Sequence, residues 1–261
     1  MGTDHTVFMQ WCEGKTQKGV IPLFISSILA GAYIGFASQL FILVTSASEL
    51  PYGLSQILGG FVFSVGLIFV VLGRTDLFTG NCLLSYSCYN SASSWFITLK
   101  NWGVVYFGNF IGALVLVGLY HGTGLLAAGH GVIAERAYAI ASSKMSLSFF
   151  PAFNRGILCN WLVCFAVLLC IYSENNLTKL LVIPAPILTF VALGYEHSIA
   201  NMYFLPIGII SQSYIKVETV LRWGHIFRNL IPVTLGNIIG GVVFVSFFYW
   251  IIQGNPVKHE R

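Results

Sequence analysis

The chain has 261 residues and a net charge of +4; 56% of its residues are apolar and only 8% are charged, with a mean hydropathy of +0.80. A soluble domain carries about 25% charged residues, so this composition cannot build a wettable surface, and lipid must be the solvent. The charge is small and forms no basic run, which excludes a nucleic-acid-binding protein.

Met1 to Lys18 is too polar for a signal peptide and reads as a tail. A membrane span needs about 20 predominantly apolar residues. Gly19 to Val44 supplies the first. Ser55 to Gly73 is the second; it runs into Arg74-Thr75-Asp76 and resumes as Leu77 to Tyr89. Trp102 to Tyr120 is the third. His121 to Met145 is rich in Gly and Ala and reads as an extramembrane loop with a short helix. Arg155 to Tyr172 is the fourth span, with Ser146 to Asn154 adding its first turns. Leu180 to Tyr195 is the fifth, interrupted at Glu196-His197 and resumed to Ile210. Ile215 to Arg228 is a second loop, and Leu230 to Ile252 is the sixth span. The expected organisation is one transmembrane domain: a tail (1–18), a first repeat (19–120), an outer loop (121–145), a second repeat (146–252) and a tail (253–261). Six spans leave both tails on one side.

The two halves resemble each other. Ile28-Leu29 with Phe36-Ala37 answers Ile157-Leu158 with Phe165-Ala166 at an offset of 129. Lys100-Asn101 followed by Gly108-Asn109-x-x-Gly112 answers Arg228-Asn229 followed by Gly236-Asn237-x-x-Gly240 at an offset of 128. Three spans per half make the second half run opposite to the first, the inverted repeat of many transporters and channels. Interrupted spans in corresponding positions are the best sequence pointer to a permeation site, and half-helix N-termini at such breaks suit an anion. Gly31-x-x-x-Gly35 and Gly108-x-x-x-Gly112 fit close helix packing. Counting basic residues does not orient the chain: six lie on the tail side and six on or near the other.

The strongest chemical signal is Glu196-His197. No charge occurs between Lys179 and Glu196, or between Glu196 and Lys216. An acid at a helix centre costs roughly 2.5 to 3.5 kcal/mol, so the pair marks a cavity, a pore or a partner. His197 could be a packed core histidine; its place in a helix break favours a pore, where imidazole can share or donate a proton. Glu196 is expected to face protein, capping backbone N–H groups or pairing with Asn160 or Asn201, because adjacent residues diverge by about 100° on a helix. Thr79 could meet His197 at mid-depth, or could simply cap a helix, as could Asp76. Lys144, Arg74 and Arg155, taken alone, read as interface residues that snorkel. The six cysteines include no C-x-x-C pair and read as small core residues. Neither a cofactor nor a metal site is expected.

At these residues the chain resembles the formate/nitrite transporter family. The resemblance rests on G-Y-E-H-S-I-A-N-M at Gly194 to Met202, D-L-F-T at Asp76 to Thr79 and K-N-W-x-x-V-Y-F-G-N at Lys100 to Asn109. It continues in R-G-I-L-C-N-W-L-V-C at Arg155 to Cys164 and N-L-I-P-V-T-L-G-N-I-I-G-G at Asn229 to Gly241. The resemblance implies an all-α, aquaporin-like channel with an inverted 3+3 repeat whose second and fifth spans are broken. It also implies a homopentamer in the inner membrane with cytoplasmic termini and one pore per protomer. It makes His197 the central pore histidine, Thr79 its hydrogen-bonding partner and Lys144 a lysine that favours anion entry. Leu67, Leu77, Phe78, Phe63, Val163 and Phe190 match positions lining two hydrophobic constrictions; Asn160 and Asn201 match supporting asparagines. Formate is the expected permeant, with nitrite, hydrosulfide, acetate and lactate as alternatives. Two other classes fit the sequence less well. A neutral-solute pore lacks the paired Asn-Pro-Ala of aquaporins. An intramembrane hydrolase using Glu196 and His197 lacks His-Glu-x-x-His and any clearly activated Ser or Cys.

Overall fold

A backbone in lipid must satisfy its own polar groups, and an apolar chain does so most simply as helix. In the computed structural model, which describes residues 2–46 and 49–253, every regular element is helical. The elements are α1 (Gly2–Thr16), α2 (Val20–Thr45), α3 (Tyr52–Leu72), α4 (Phe78–Asn81), α5 (Ser85–Tyr89), α6 (Trp95–Gly122), α7 (Val132–Met145), α8 (Phe149–Ile171), α9 (Asn176–Val182), α10 (Pro184–Ala192), α11 (Ser198–Ser211), α12 (His225–Gly241) and α13 (Phe248–Ile252). A 3₁₀ turn, Cys82–Leu84, joins α4 to α5, and a π-helical stretch, Val242–Phe247, joins α12 to α13.

Among the described residues, five helices are long and apolar enough to cross a membrane: α2, α3, α6, α8 and the continuous run His225–Ile252. Their outward faces carry large apolar side chains, such as Ile21, Phe96, Phe107 and Leu119, as a lipid-facing surface requires. At the fifth expected position stand two short helices, α9 and α10, meeting at Pro184. Two sequence boundaries shift. The third span begins at Trp95 rather than Trp102, because the Ser94 hydroxyl accepts the Ile97 N–H as an N-cap. The N-terminal tail is not extended: most of it is α1, whose Phe8 and Cys12 are fully buried.

The repeat is visible in how helices touch. α2 crosses α6 where a Cβ on Gly112 would overlap the Ile28 carbonyl and one on Gly31 the Asn109 backbone. α8 crosses α12 where a Cβ on Gly236 would overlap the Phe153 carbonyl and one on Gly240 the Ile157 carbonyl. These contacts are the small-residue approach read from the glycine spacing.

Both breaks end their helix in the same way. After α3, Arg74 takes a left-handed φ of 52°. Its N–H bonds Val71 O (3.2 Å), and the Thr75 N–H bonds Val70 O (3.0 Å). After α10, Gly194 takes φ 71°; its N–H bonds Val191 O (3.0 Å), and the Tyr195 N–H bonds Phe190 O (3.0 Å). Each is a Schellman motif, which returns the last carbonyls of a helix to backbone donors. The chain then runs extended through Thr75–Leu77 or Tyr195–His197 before a new helix begins.

A Cβ on Gly194 would meet nothing within 4 Å, so only the backbone opposes a side chain there. Gly194→Ala is expected to destabilise the protein by about 1 kcal/mol, read as a lowered thermal unfolding midpoint in detergent. An unchanged or raised midpoint would show that the left-handed turn is not a constraint.

Candidate functional site

The extended breaks expose backbone groups at membrane depth, and two asparagines take them up. Asn109 Oδ1 accepts the Phe78 N–H (2.9 Å), while its Nδ2 donates to Asp76 O (3.0 Å) and Ser27 O (2.7 Å). Asn237 Oδ1 accepts the Ser198 N–H (2.9 Å), while its Nδ2 donates to Glu196 O (2.9 Å) and Gly156 O (2.8 Å). These are the asparagines of the two G-N-x-x-G motifs. Each ties a break to the first long helix of its own half.

The side chains at the breaks are matched too. Glu196 accepts from Lys144 Nζ at Oε1 (2.8 Å), and from Asn201 Nδ2 (2.7 Å) and Asn229 Nδ2 (3.2 Å) at Oε2. Asn229 Nδ2 also donates to the Lys144 carbonyl (2.9 Å). In the first half, Asp76 accepts from Lys15 Nζ (2.6 Å), Lys18 Nζ (2.5 Å) and the Ser26 hydroxyl (2.5 Å). Asn81 Nδ2 donates to Asn101 Oδ1 (2.9 Å), and Asn101 Nδ2 to the Lys15 carbonyl (3.3 Å). Lys15 and Lys144 lie 129 residues apart, the offset of the repeat's first helices, and sit on equivalent carboxylates. Both carboxylates are buried, a position that is tolerable for a charge only when it is paired and hydrogen-bonded.

His197 opens α11. Its Nδ1 accepts the Ala200 N–H (3.1 Å), so the ring is the N-cap of that helix. A nitrogen that accepts carries no proton, which places the proton of the neutral ring on Nε2. Nε2 lies 3.1 Å from Thr79 Oγ1. The Nε2–H therefore donates to Thr79, and the threonine hydroxyl proton is left for another acceptor. Thr79 is itself fixed: its carbonyl accepts from Asn160 Nδ2 (3.1 Å) and Cys164 Sγ (3.2 Å). The imidazole stacks on Phe190, centroids 5.8 Å apart at 22°.

Two cavities approach this pair from opposite ends. The first, of about 280 Å³, is lined by Lys144, Glu196 and His197 with Phe63 and Phe190. The second, of about 630 Å³, is lined by Lys15, Lys18, Arg74 and Lys179 with Leu67 and Leu77. Between them the wall is apolar and nearly closed: Phe63, Leu67, Leu77 and Phe190 are each at most 4% exposed. Phe63 and Leu67 sit one turn apart on α3, so one helix face contributes to both barriers. Phe78 and Val163 line neither cavity. Phe78 packs edge-on against Tyr106 (4.9 Å) and Trp102 (6.3 Å).

Several alternatives left open by the sequence are now decided by geometry. Glu196 pairs with Asn201, as expected, but not with Asn160, which serves the Thr79 and Asn237 carbonyls, and it also lines the first cavity rather than facing protein alone. Thr79 caps no helix; the residue before α4 is Leu77, without a side-chain cap. Lys144 does not snorkel to an interface, because the buried Glu196 carboxylate offers it a stronger partner than water. Lys15 was missed by sequence reasoning, as were the hydrogen-bonding roles of Asn101 and Asn229, although the repeat had already matched those two positions. The repeat offset, extended to α1 and α7, would have found Lys15. Among the described residues, no three His, Cys, Asp or Glu side chains are grouped to hold a metal.

The sequence pattern of the formate/nitrite transporters matches residues 5–251. A probable formate transporter of Methanothermobacter thermautotrophicus is 40% identical over 256 residues, covering 91% of each chain. The formate channel FocA of Escherichia coli K12 is 35% identical over 262 residues, covering 94% of this chain and 91% of that one. Among solved structures, one described as a pentameric formate channel with formate bound superposes with a TM-score of 0.81 at 36% identity, covering 90% of this chain and 97% of that one.

The Lys144–Glu196 pair has a measurable signature. Lys144→Met leaves a buried carboxylate with two amide donors and no cation, at an expected cost of about 2 kcal/mol. The double variant Lys144→Met/Glu196→Gln removes both charges and is expected to recover most of that loss in thermal unfolding. A double variant no more stable than the single one would show the pair to be energetically idle.

Proposed function

The chain belongs to the formate/nitrite transporter family, a family of channels and transporters rather than enzymes, and we propose that it carries formate through each protomer of a homopentamer in the inner membrane. The termini lie in the cytoplasm, and the chain crosses six times. Nitrite, also a small planar anion of a weak acid, is the second permeant this chemistry admits. The observation that carries the reading is the hydrogen-bonded His197–Thr79 pair set between two cation-lined cavities and walled by apolar side chains.

An anion entering a medium of low dielectric faces a cost of order 20 kcal/mol at the idealised Born limit. Lys144 on one side and Lys15 on the other, with the N-terminus of α11, hold it at the edge of that region. There it meets a relay. The Thr79 hydroxyl donates to the anion while His197 Nε2–H donates to Thr79. Full transfer of the ring proton would leave an imidazolate, so His197 shares its proton through the hydrogen bond instead. The proton that neutralises the weak acid comes from hydronium in the entry cavity, which is left as water. The nearly neutral acid then passes Phe63–Phe190 or Leu67–Leu77 and returns the proton to water beyond. Phe78 and Val163 support these barriers from behind.

Two variants test this in proteoliposome flux. His197→Ala removes the donor to Thr79 and is expected to lower formate flux at least as far as loss of the Thr79 hydroxyl does; undiminished flux removes His197 from the mechanism. Thr79→Val keeps the shape without the hydroxyl and is expected to lower formate flux about tenfold, equivalent to about 1.4 kcal/mol in the barrier. Full flux in this variant would sink the relay.

A further inference from the structure

Lys144 is paired with Glu196, which weakens its pull on an anion, so the first cavity needs a further source of attraction. Among the described residues its other cations are Arg136 and Arg155, and neither pairs with a carboxylate. Arg155 is exposed at the start of α8, whereas Arg136 is half-buried on α7. Arg136 and Lys144 are two turns apart on that helix, about 12 Å along its axis, and both line the cavity, with Ile140 between them.

The Arg136 side chain is held in place. Its Nε donates to Thr45 Oγ1 (2.8 Å), whose own hydroxyl is turned to donate to Phe41 O (2.7 Å). The guanidinium carbon lies 5.8 Å from the centre of the Phe41 ring. Anchoring by Nε and an aromatic leaves the two terminal nitrogens as an oriented pair of donors, and no acceptor among the described residues takes them. A planar fork of this kind matches an anion with two oxygens on one atom, which can accept two parallel N–H···O bonds.

We propose that Arg136 is a binding residue of the first cavity, a fork that captures planar two-oxygen anions, carboxylate or nitrite, and orients them before they descend α7 to Lys144. The proposal rests on the transport reading above and names the feature that selects the anion's shape. Lys144 then acts as a neutralised relay point, and Arg136 supplies the uncompensated charge.

The test is formate flux into proteoliposomes across a concentration series, with wild type, Arg136→Gln and Arg136→Lys. Arg136→Gln is expected to raise the half-saturating formate concentration about tenfold, with the maximal flux within about twofold of wild type. Arg136→Lys keeps the charge without the fork and is expected to shift half-saturation nearly as far. A lysine variant that behaves as wild type would reduce Arg136 to a point charge and overturn the fork; an unshifted glutamine variant would remove the residue from anion binding altogether. If the Arg136 variants do not assemble, Thr45→Val decides. It frees Nε from its anchor and is expected to raise half-saturation about threefold, and an unchanged value overturns the proposal. A wild-type protein that passes neither formate nor nitrite would instead refute the transport reading, and this one with it.

Discussion

A helix broken in the middle of a bilayer leaves backbone N–H and C=O groups where no water can reach them, at a cost of several kcal/mol each. The fold depends on how that cost is met at two places. Asn109 and Asn237 each span a gap between a break and a long helix, using every hydrogen-bonding arm of one amide. Because each amide grips a backbone carbonyl on the neighbouring helix, it also fixes where the broken segment sits. Glycines then let α2 approach α6 and α8 approach α12 closely enough for the grip to be made. The Schellman turns at Arg74 and Gly194 complete the accounting at the other end of each break.

This frame is nearly two-fold symmetric, and the chemistry lies where the symmetry fails. The carboxylates, lysines and amides correspond between halves: Asp76 with Glu196, Lys15 with Lys144, Asn81 with Asn201, Asn101 with Asn229. At the breaks the offset is 120, so His197 answers Leu77 and Thr79 answers Ile199. One half contributes the imidazole and the other the hydroxyl, with an aliphatic residue opposite each. A symmetric pair of histidines would approach one another as two donors or two acceptors; a histidine facing a threonine makes a bond of defined direction. The Ala200 cap fixes the ring tautomer, and the tautomer fixes that direction.

The breaks and the repeat were legible in the sequence because each leaves a local mark; at Thr79 the residues alone left a His197 partner and a helix cap both open, and the family resemblance supplied the pairing. A charge in an apolar run, a doubled G-N-x-x-G and a Thr-Gly at a matching break need no knowledge of distant contacts. The partner of Lys144 was not legible. Its carboxylate lies 52 residues away across three helices, and an isolated lysine near a span end carries the ordinary signal of a snorkelling side chain. Lys15 was hidden by the polarity of α1, whose composition reads as a tail while Phe8 and Cys12 are buried in the core. The offset of 129 applies to both lysines and was observed only between apolar pairs in the spans. The packing of Phe78 on Trp102 and Tyr106 was equally beyond reach, since position alone cannot say which side of a narrow barrier a ring faces.

The two cavities are alike in kind and unequal in charge. The second carries Lys15, Lys18, Arg74 and Lys179 around one buried carboxylate, and that carboxylate takes two of the lysines. The first carries Arg136, Lys144 and Arg155 around Glu196, which takes one. Set against one carboxylate each, four cations leave the second cavity about three positive charges and three cations leave the first about two. Potentials of this kind raise the local concentration of anions at both mouths without distinguishing one small anion from another. Discrimination needs groups of fixed geometry rather than charge alone. In the proposed mechanism, an apolar wall that admits no unneutralised charge favours anions able to bind a proton. The cations set how often an anion arrives; in the proposed mechanism the choice among arrivals falls to groups of fixed geometry, the Arg136 fork and the directed His197–Thr79 bond beside the apolar wall.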